Sequence, residues 1–220
     1  MIKLFTSVCL LMLMNMTHQQ SKTILFFGDS ITQLGIQEGG YIQLLKKKFD
    51  STQPNQPVSL LGAGVSGNKV YDLYLRLEED VLTKNPDQVI IWVGVNDVWH
   101  KQWGTGTDAD AFEKFYVAMV KKMQAQHIDL ILVTPAVVGE KKEGGNELDK
   151  DLDAYSDIIR KISKTYQCKL VDCRKLFVDY AKIHNPQNLE SGILTEDKVH
   201  LNARGNQLVA EAIWKELQSD

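Results

Sequence analysis

From Thr23 onward the chain alternates short, almost continuously apolar runs with longer stretches whose apolar residues recur at helical spacing. The runs are Thr23–Phe27, Val58–Leu61, Gln88–Gly94, Asp129–Val133 and Lys169–Val171. A segment such as Val89-Ile90-Ile91-Trp92-Val93 leaves no polar face, as a parallel strand covered on both sides requires. Between the runs fall Tyr41, Leu44, Leu45 and Phe49, then Val70, Leu73, Tyr74, Leu77 and Val81. Phe112, Phe115, Tyr116, Met119 and Met123 follow, then Leu148, Leu152, Tyr155, Ile159, Ile162 and Tyr166. Leu208, Val209, Ala212, Ile213 and Leu217 form the last set. Each set lies on one helix face and has one side to bury. Strand and helix in alternation imply right-handed βαβ units, hence an α/β fold: a three-layer α/β/α sandwich around a central five-stranded parallel sheet. A chain of 220 residues, 44% of them hydrophobic, can bury one sizeable core. The net charge of −3 offers no basic footprint for nucleic acid and suits a neutral or polar small molecule.

The N-terminus departs from this pattern. Lys3 precedes an apolar run from Leu4 to Met14, and a polar exit from Asn15 to Lys22 follows. That order is the signature of a secretory signal peptide, placed at residues 1–20, with one domain over 21–220. Cleavage is expected between Thr17 and Ser21, and the alternative is a buried N-terminal strand or helix. The run is shorter than the ~18 apolar residues of a membrane span, so no stable membrane insertion is expected. Cys9 lies inside the run rather than after it, which disfavours a lipoprotein anchor. Cys168 and Cys173 flank Lys169–Val171. On an extended chain five residues separate them by ~16 Å and on opposite faces, too far for a disulfide. No His or second Cys pair lies at ligand spacing, so no metal is expected.

Four polar motifs follow predicted strands or precede the last helix, on the edge where open parallel sheets bind ligands. They are Gly28-Asp29-Ser30, Gly64-Val65-Ser66-Gly67-Asn68, Gly94-Val95-Asn96-Asp97 and Asp197-Lys198-Val199-His200. A serine hydroxyl becomes a nucleophile only when a neighbouring base takes its proton, and His200 is the candidate base. Asp197 would accept the other ring N–H and fix the tautomer. A tetrahedral intermediate needs donors aimed at its oxyanion, and Ser30 N–H, Gly67 N–H and the Asn96 amide are candidates. Together these residues read as a serine hydrolase. Each motif alone has a plainer reading: a helix cap for Asp197-x-x-His200, tight turns for Gly64 and Gly67, an Asx turn for Asn96-Asp97. Asp29, Trp99 and His100 are the expected pocket residues, with Asp29 also securing the nucleophile turn; for Trp99 and Trp103 alike, a pocket wall and core packing are equal alternatives. His127 and His184 read as structural or surface. The Gly139–Asn146 connection reads equally as a solvated loop or as a substrate-side rim.

With those residues in place, the chain resembles the SGNH/GDSL hydrolases. The four blocks occur in order from about Thr23 to the C-terminus, and Gly139–Asn146 matches none of them. The resemblance implies a flavodoxin-like fold and ester hydrolysis through an acyl-serine, with neither metal nor cofactor. It assigns the four signature roles to Ser30, Gly67, Asn96 and His200, with Asp197 completing a triad. Gly-Asp-Ser-Ile-Thr-Gln and the later Gly39-Gly40-Tyr41 look most like the short-chain acetylhydrolase and isoamyl-acetate-esterase branch, with carbohydrate acetylesterases next. The expected protein is an exported esterase removing a short acyl group, acetyl foremost, from a small molecule or carbohydrate. The alternatives are a lysophospholipase or thioesterase on longer acyl chains, or a non-catalytic carbohydrate-binding module. The acid in Gly28-Asp29-Ser30 argues against a phosphate-bearing cofactor.

Overall fold

In the computed structural model, which describes residues 21–142 and 144–219, five strands pair in parallel. They are β1 (Lys22–Gly28), β2 (Val58–Gly64), β3 (Gln88–Trp92), β4 (Asp129–Val133) and β5 (Lys169–Val171), in the order β2-β1-β3-β4-β5. This is the flavodoxin-like order, whose switch point lies between β1 and β3. The expected leader at residues 1–20 lies outside the described residues. Among the described residues no helix is long and apolar enough to cross a membrane.

Alternation along the strands splits the core in two. Leu25, Phe27, Val89, Ile91, Leu130 and Leu132 face one side, against α3 (Val70–Asp80), α5 (Ala109–Gln124) and α6 (Asp149–Thr165). Ile24, Phe26, Ile90, Trp92, Ile131 and Val133 face the other, against α2 (Tyr41–Thr52), α7 (Cys173–His184) and α8 (Ala203–Gln218). Two short helices, α1 (Ser30–Gly35) and α4 (Val95–Trp99), begin directly beyond β1 and β3. All five expected helical faces are buried as helices.

Three local differences have physical causes. β2 runs on to Gly64, because Gly62, Ala63 and Gly64 pair with Phe26, Phe27 and Gly28 although they carry no apolar signature. β3 stops at Trp92 rather than Gly94, because Gly94 turns the chain at φ 131°. α7 is not among the five expected helical faces; Asp172 caps it by accepting from Lys175 N–H at 3.1 Å. Cys173 therefore opens a helix instead of ending a strand. Both cysteines are free thiols, and burial pushes the Cys168 thiol up to about 11, so it packs rather than reacts.

Candidate active site

β1 delivers the chain to the sheet edge at Gly28, and Asp29 caps α1 by accepting the Ile31 N–H at 3.0 Å. That cap sets Ser30 at the first helical position, where its N–H has no intrahelical acceptor. The β2 loop crosses closely over this turn. A Cβ on Gly64 would lie 2.1 Å from Gln33 N and 2.8 Å from Asp29 O, so only glycine fits. Val65 N–H donates to Gly28 O at 3.2 Å and Ser66 N–H to Gln33 Oε1 at 2.7 Å. Gly67 then adopts φ +76°, and the buried Lys69 ammonium donates back to Gly67 O at 3.0 Å. On α4, buried Asn96 donates its side-chain amide to Asn68 O at 3.1 Å. Asp97, fully buried, accepts Val70 N–H at 3.1 Å and so ties α4 to the start of α3.

The fourth motif arrives on the loop before α8. Asp197 Oδ1 accepts the backbone N–H groups of Val199 at 3.1 Å and His200 at 2.8 Å, closing a turn in which Lys198 takes φ +83°. His200 Nδ1 lies 2.6 Å from Asp197 Oδ2, and His200 Nε2 lies 2.9 Å from Ser30 Oγ. Because an ionised carboxylate only accepts, Nδ1 carries the proton and Nε2 is left to accept from the serine hydroxyl. Burial pushes the Asp197 carboxyl upward, but the bonds from His200 and Val199 outweigh it and hold the group below the ordinary carboxylate range. Asp29 shows the opposite balance. Its burial, with Asp97 close by, pushes it up to about 7, against the opposing pull of the Ile31 N–H and His200. Burial likewise takes Asp97 up to about 6.

Residues outside the four motifs hold this second half of the site. Glu140, 3% exposed, receives Ile193 N–H at 2.9 Å on one carboxylate oxygen. Leu194 and Thr195 N–H donate to the other, at 2.6 and 2.9 Å. Asn185 Nδ2 donates to Glu140 O at 2.8 Å and Gly139 N–H to Lys198 O at 2.9 Å. The Gly139 connection is thus tied to the loop that carries His200. Glu140 sits in a charged stretch that reads equally as a solvated loop or a substrate-side rim, and no spacing rule singles it out as a buried support.

A cleft of about 570 Å³ opens beside Asp197, lined among others by Trp99, Val138, Asn146, Glu190 and Lys198. Of the three expected pocket residues, Trp99 lines this cleft. Asp29 lies 2% exposed beneath the turn. His100 packs its ring against both Trp99 and Trp103, with centroids 5.7 and 5.1 Å away, in a three-ring cluster whose tryptophans are 5.4 Å apart. Trp103 is 57% exposed and so is not core. His127 and His184 are exposed, as expected.

The family model described as the GDSL-like Lipase/Acylhydrolase family matches residues 26–208. The chain belongs to this family. The GDSL hydrolase chain is 54% identical to the crystal structure of an acetyl xylan esterase, AlAXEase. That match has a TM-score of 0.86 and covers 88% of this chain and 98% of the other. It is also 29% identical over 213 residues to an acetylxylan esterase of Geobacillus stearothermophilus, covering 88% of this chain and 93% of that one. A more distant relative, at 27% identity over 177 residues, is the uncharacterized lipoprotein YqeF of Bacillus subtilis (strain 168), with 71% and 72% covered. This GDSL hydrolase is a carboxylic ester hydrolase.

Proposed function

We propose that the enzyme is a carbohydrate acetylesterase, removing acetyl groups from the hydroxyls of a short oligosaccharide through an acyl-serine intermediate. The supporting observation is the unbroken line Ser30 Oγ–His200 Nε2–His200 Nδ1–Asp197 Oδ2, at 2.9 and 2.6 Å. Two relatives named as acetylxylan esterases support the substrate class.

In this reading Ser30 Oγ attacks the acetyl carbonyl while His200 Nε2 takes its proton, and Asp197 stabilises the imidazolium that forms. Ser30 N–H, Gly67 N–H and the second Asn96 amide hydrogen hold the oxyanion, the first amide hydrogen being engaged by Asn68 O. The tetrahedral intermediate collapses as His200 protonates the sugar oxygen. Water, deprotonated by His200, then attacks the acetyl-serine and releases acetate. The cleft beside Trp99 receives the sugar, since a half-buried indole offers an apolar face to a pyranose ring. Export completes the proposal, supported by the apolar run Leu4–Met14 after Lys3.

The test is acetate release from acetylated xylooligosaccharides, with p-nitrophenyl esters of rising chain length beside it. Ser30→Ala should fold normally and lose at least ~10⁴-fold in kcat. Unchanged turnover in that variant would sink the nucleophile assignment. Rates that rise steadily from acetyl to octanoyl esters, by a factor in keeping with ~0.8 kcal/mol per buried CH₂, would replace the acetylesterase by a long-chain acylhydrolase.

A further inference from the structure

Arg76 lies on α3, in none of the four motifs, yet its guanidinium reaches the edge of the sheet where the site is built. Nε donates to Asn68 Oδ1 at 2.7 Å. Nη2 donates to Gly28 O at 2.8 Å and to Ala63 O at 3.0 Å. Nη1 pairs with Asp80, one turn on along α3, and the guanidinium carbon sits 4.5 Å from the centroid of the Phe27 ring. One planar cation therefore spans the last residue of β1, two before Ser30, the end of β2, and the residue after Gly67. Asn68 passes the constraint on, because its carbonyl accepts the Asn96 amide at 3.1 Å.

We infer that Arg76 is a positioning residue for the oxyanion hole: it clamps the β1 end, the Gly67 loop and, through Asn68, Asn96 into one fixed arrangement. This inference rests on the proposed roles of Ser30, Gly67 and Asn96. The three candidate donors come from three separate segments, and a hole works only if they converge within a few tenths of an ångström of one point. The bonds between neighbouring turns, Val65 N–H to Gly28 O, Ser66 N–H to Gln33 Oε1 and Asn96 Nδ2 to Asn68 O, tie the segments only two at a time. A guanidinium can join more than two, because its donors are fixed in one plane and point in several directions, whereas an ammonium is a single point. Its side chain is only 17% exposed, so solvent competes little for those bonds. Asp80 neutralises the cation from the side of α3, which leaves Nη2 to the backbone carbonyls of Gly28 and Ala63 and Nε to the Asn68 side chain.

Misplacing a positioned group by about 1 Å costs ~100-fold in rate. Steady-state hydrolysis of p-nitrophenyl acetate by the full chain is the assay, with the thermal midpoint of each variant recorded. For Arg76→Ala and Arg76→Lys the expectation is a kcat lower by ~10–100-fold with KM within about 3-fold of wild type. Millimolar guanidinium should restore part of kcat in Arg76→Ala and nothing in the wild type. Wild-type kcat in folded Arg76→Ala would overturn the inference. So would a loss that guanidinium leaves untouched while Arg76→Lys recovers it, since charge alone would then suffice. If Arg76→Ala does not fold, Asn68→Ala decides, because it removes only the Nε link; a lowered kcat at constant KM supports the inference and an unchanged kcat overturns it. Covalent labelling by a fluorophosphonate, compared with Ser30→Ala, separates the two levels. Ser30-dependent labelling and turnover with an indifferent Arg76 would remove this inference alone, and turnover that survives in Ser30→Ala would remove both.

Discussion

The two halves of the site are built differently. On the β1–β3 side, Ser30, Gly67 and Asn96 sit two to four residues beyond strand ends, on turns that glycines and short polar side chains shape locally. On the other side, Asp197 and His200 hang from a connection that runs from the end of α7 to the start of α8 with no regular element among residues 185–202. Close backbone packing together with the Arg76 hydrogen bonds holds the first half; a single buried carboxylate, Glu140, holds much of the second. Short turns inherit most of their placement from the sheet and need only a link between them, whereas a long loop takes nearly all of its placement from a distant residue.

The largest effect should come from breaking the crowded half. Gly64→Ala forces a methyl into the backbone of Thr32 and Gln33 and should cost about 3 kcal/mol or more, read by chemical denaturation. Its kcat should fall as well, because the displaced turn carries Ser30. A stable, fully active Gly64→Ala would show that the turn has slack that the static contacts hide.

Next in size is Glu140→Gln, which keeps the shape but turns charge-assisted bonds into neutral ones and sets an amide against an N–H donor. A loss of about 2 kcal/mol is expected, or roughly 4–8 °C in thermal midpoint for a chain of this size. Hydrogen exchange should rise in residues 190–200 and not at Gly64–Asn68. Equal exchange in both regions would erase the distinction between the halves.

The pH dependence of stability should report the first half. Asp29, raised to about 7, and Asp97, raised to about 6, keep their protons in the folded state where the unfolded chain, with carboxyls near 4, has released them. The folded state therefore binds more protons between about pH 4 and 7, and stability falls as pH rises through that window. The penalty is complete above it. Asp29→Asn should flatten the slope of the thermal midpoint between about pH 4 and 7; an unaltered slope would assign it to other groups.

The smallest effect belongs to the rim. Glu190 bridges Lys141 and Lys198 at the mouth of the cleft, but both pairs are solvent-exposed. Exposed pairs contribute little, so Glu190→Gln should leave the thermal midpoint unchanged within error. A clear drop would mean that the rim shares with Glu140 the work of holding the long loop.

The five strands and five amphipathic helices were legible because burial on both faces demands continuous apolar runs, and burial on one demands a 3.6-residue period. The four motifs were legible because turn residues are chosen by local backbone geometry, and that geometry is written within a few positions. The end of β2 was not, since Gly62, Ala63 and Gly64 pair through backbone alone and leave no side-chain pattern. Neither was α7, although Asp172 as a cap and Phe177 and Ala181 four residues apart on one face were its available signals. Arg76 and Glu140 could not be found from the sequence. Each acts on a segment that is remote along the chain, 48 residues to Gly28 and 53 to Ile193, and a charged side chain on a helix or in a loop looks solvated until the fold buries it. By itself, then, the chain determined which elements form and which chemical groups reach the sheet edge, because both follow from short-range pattern. Only the tertiary structure decided how closely those groups converge, because that depends on hydrogen bonds between residues that the sequence keeps far apart.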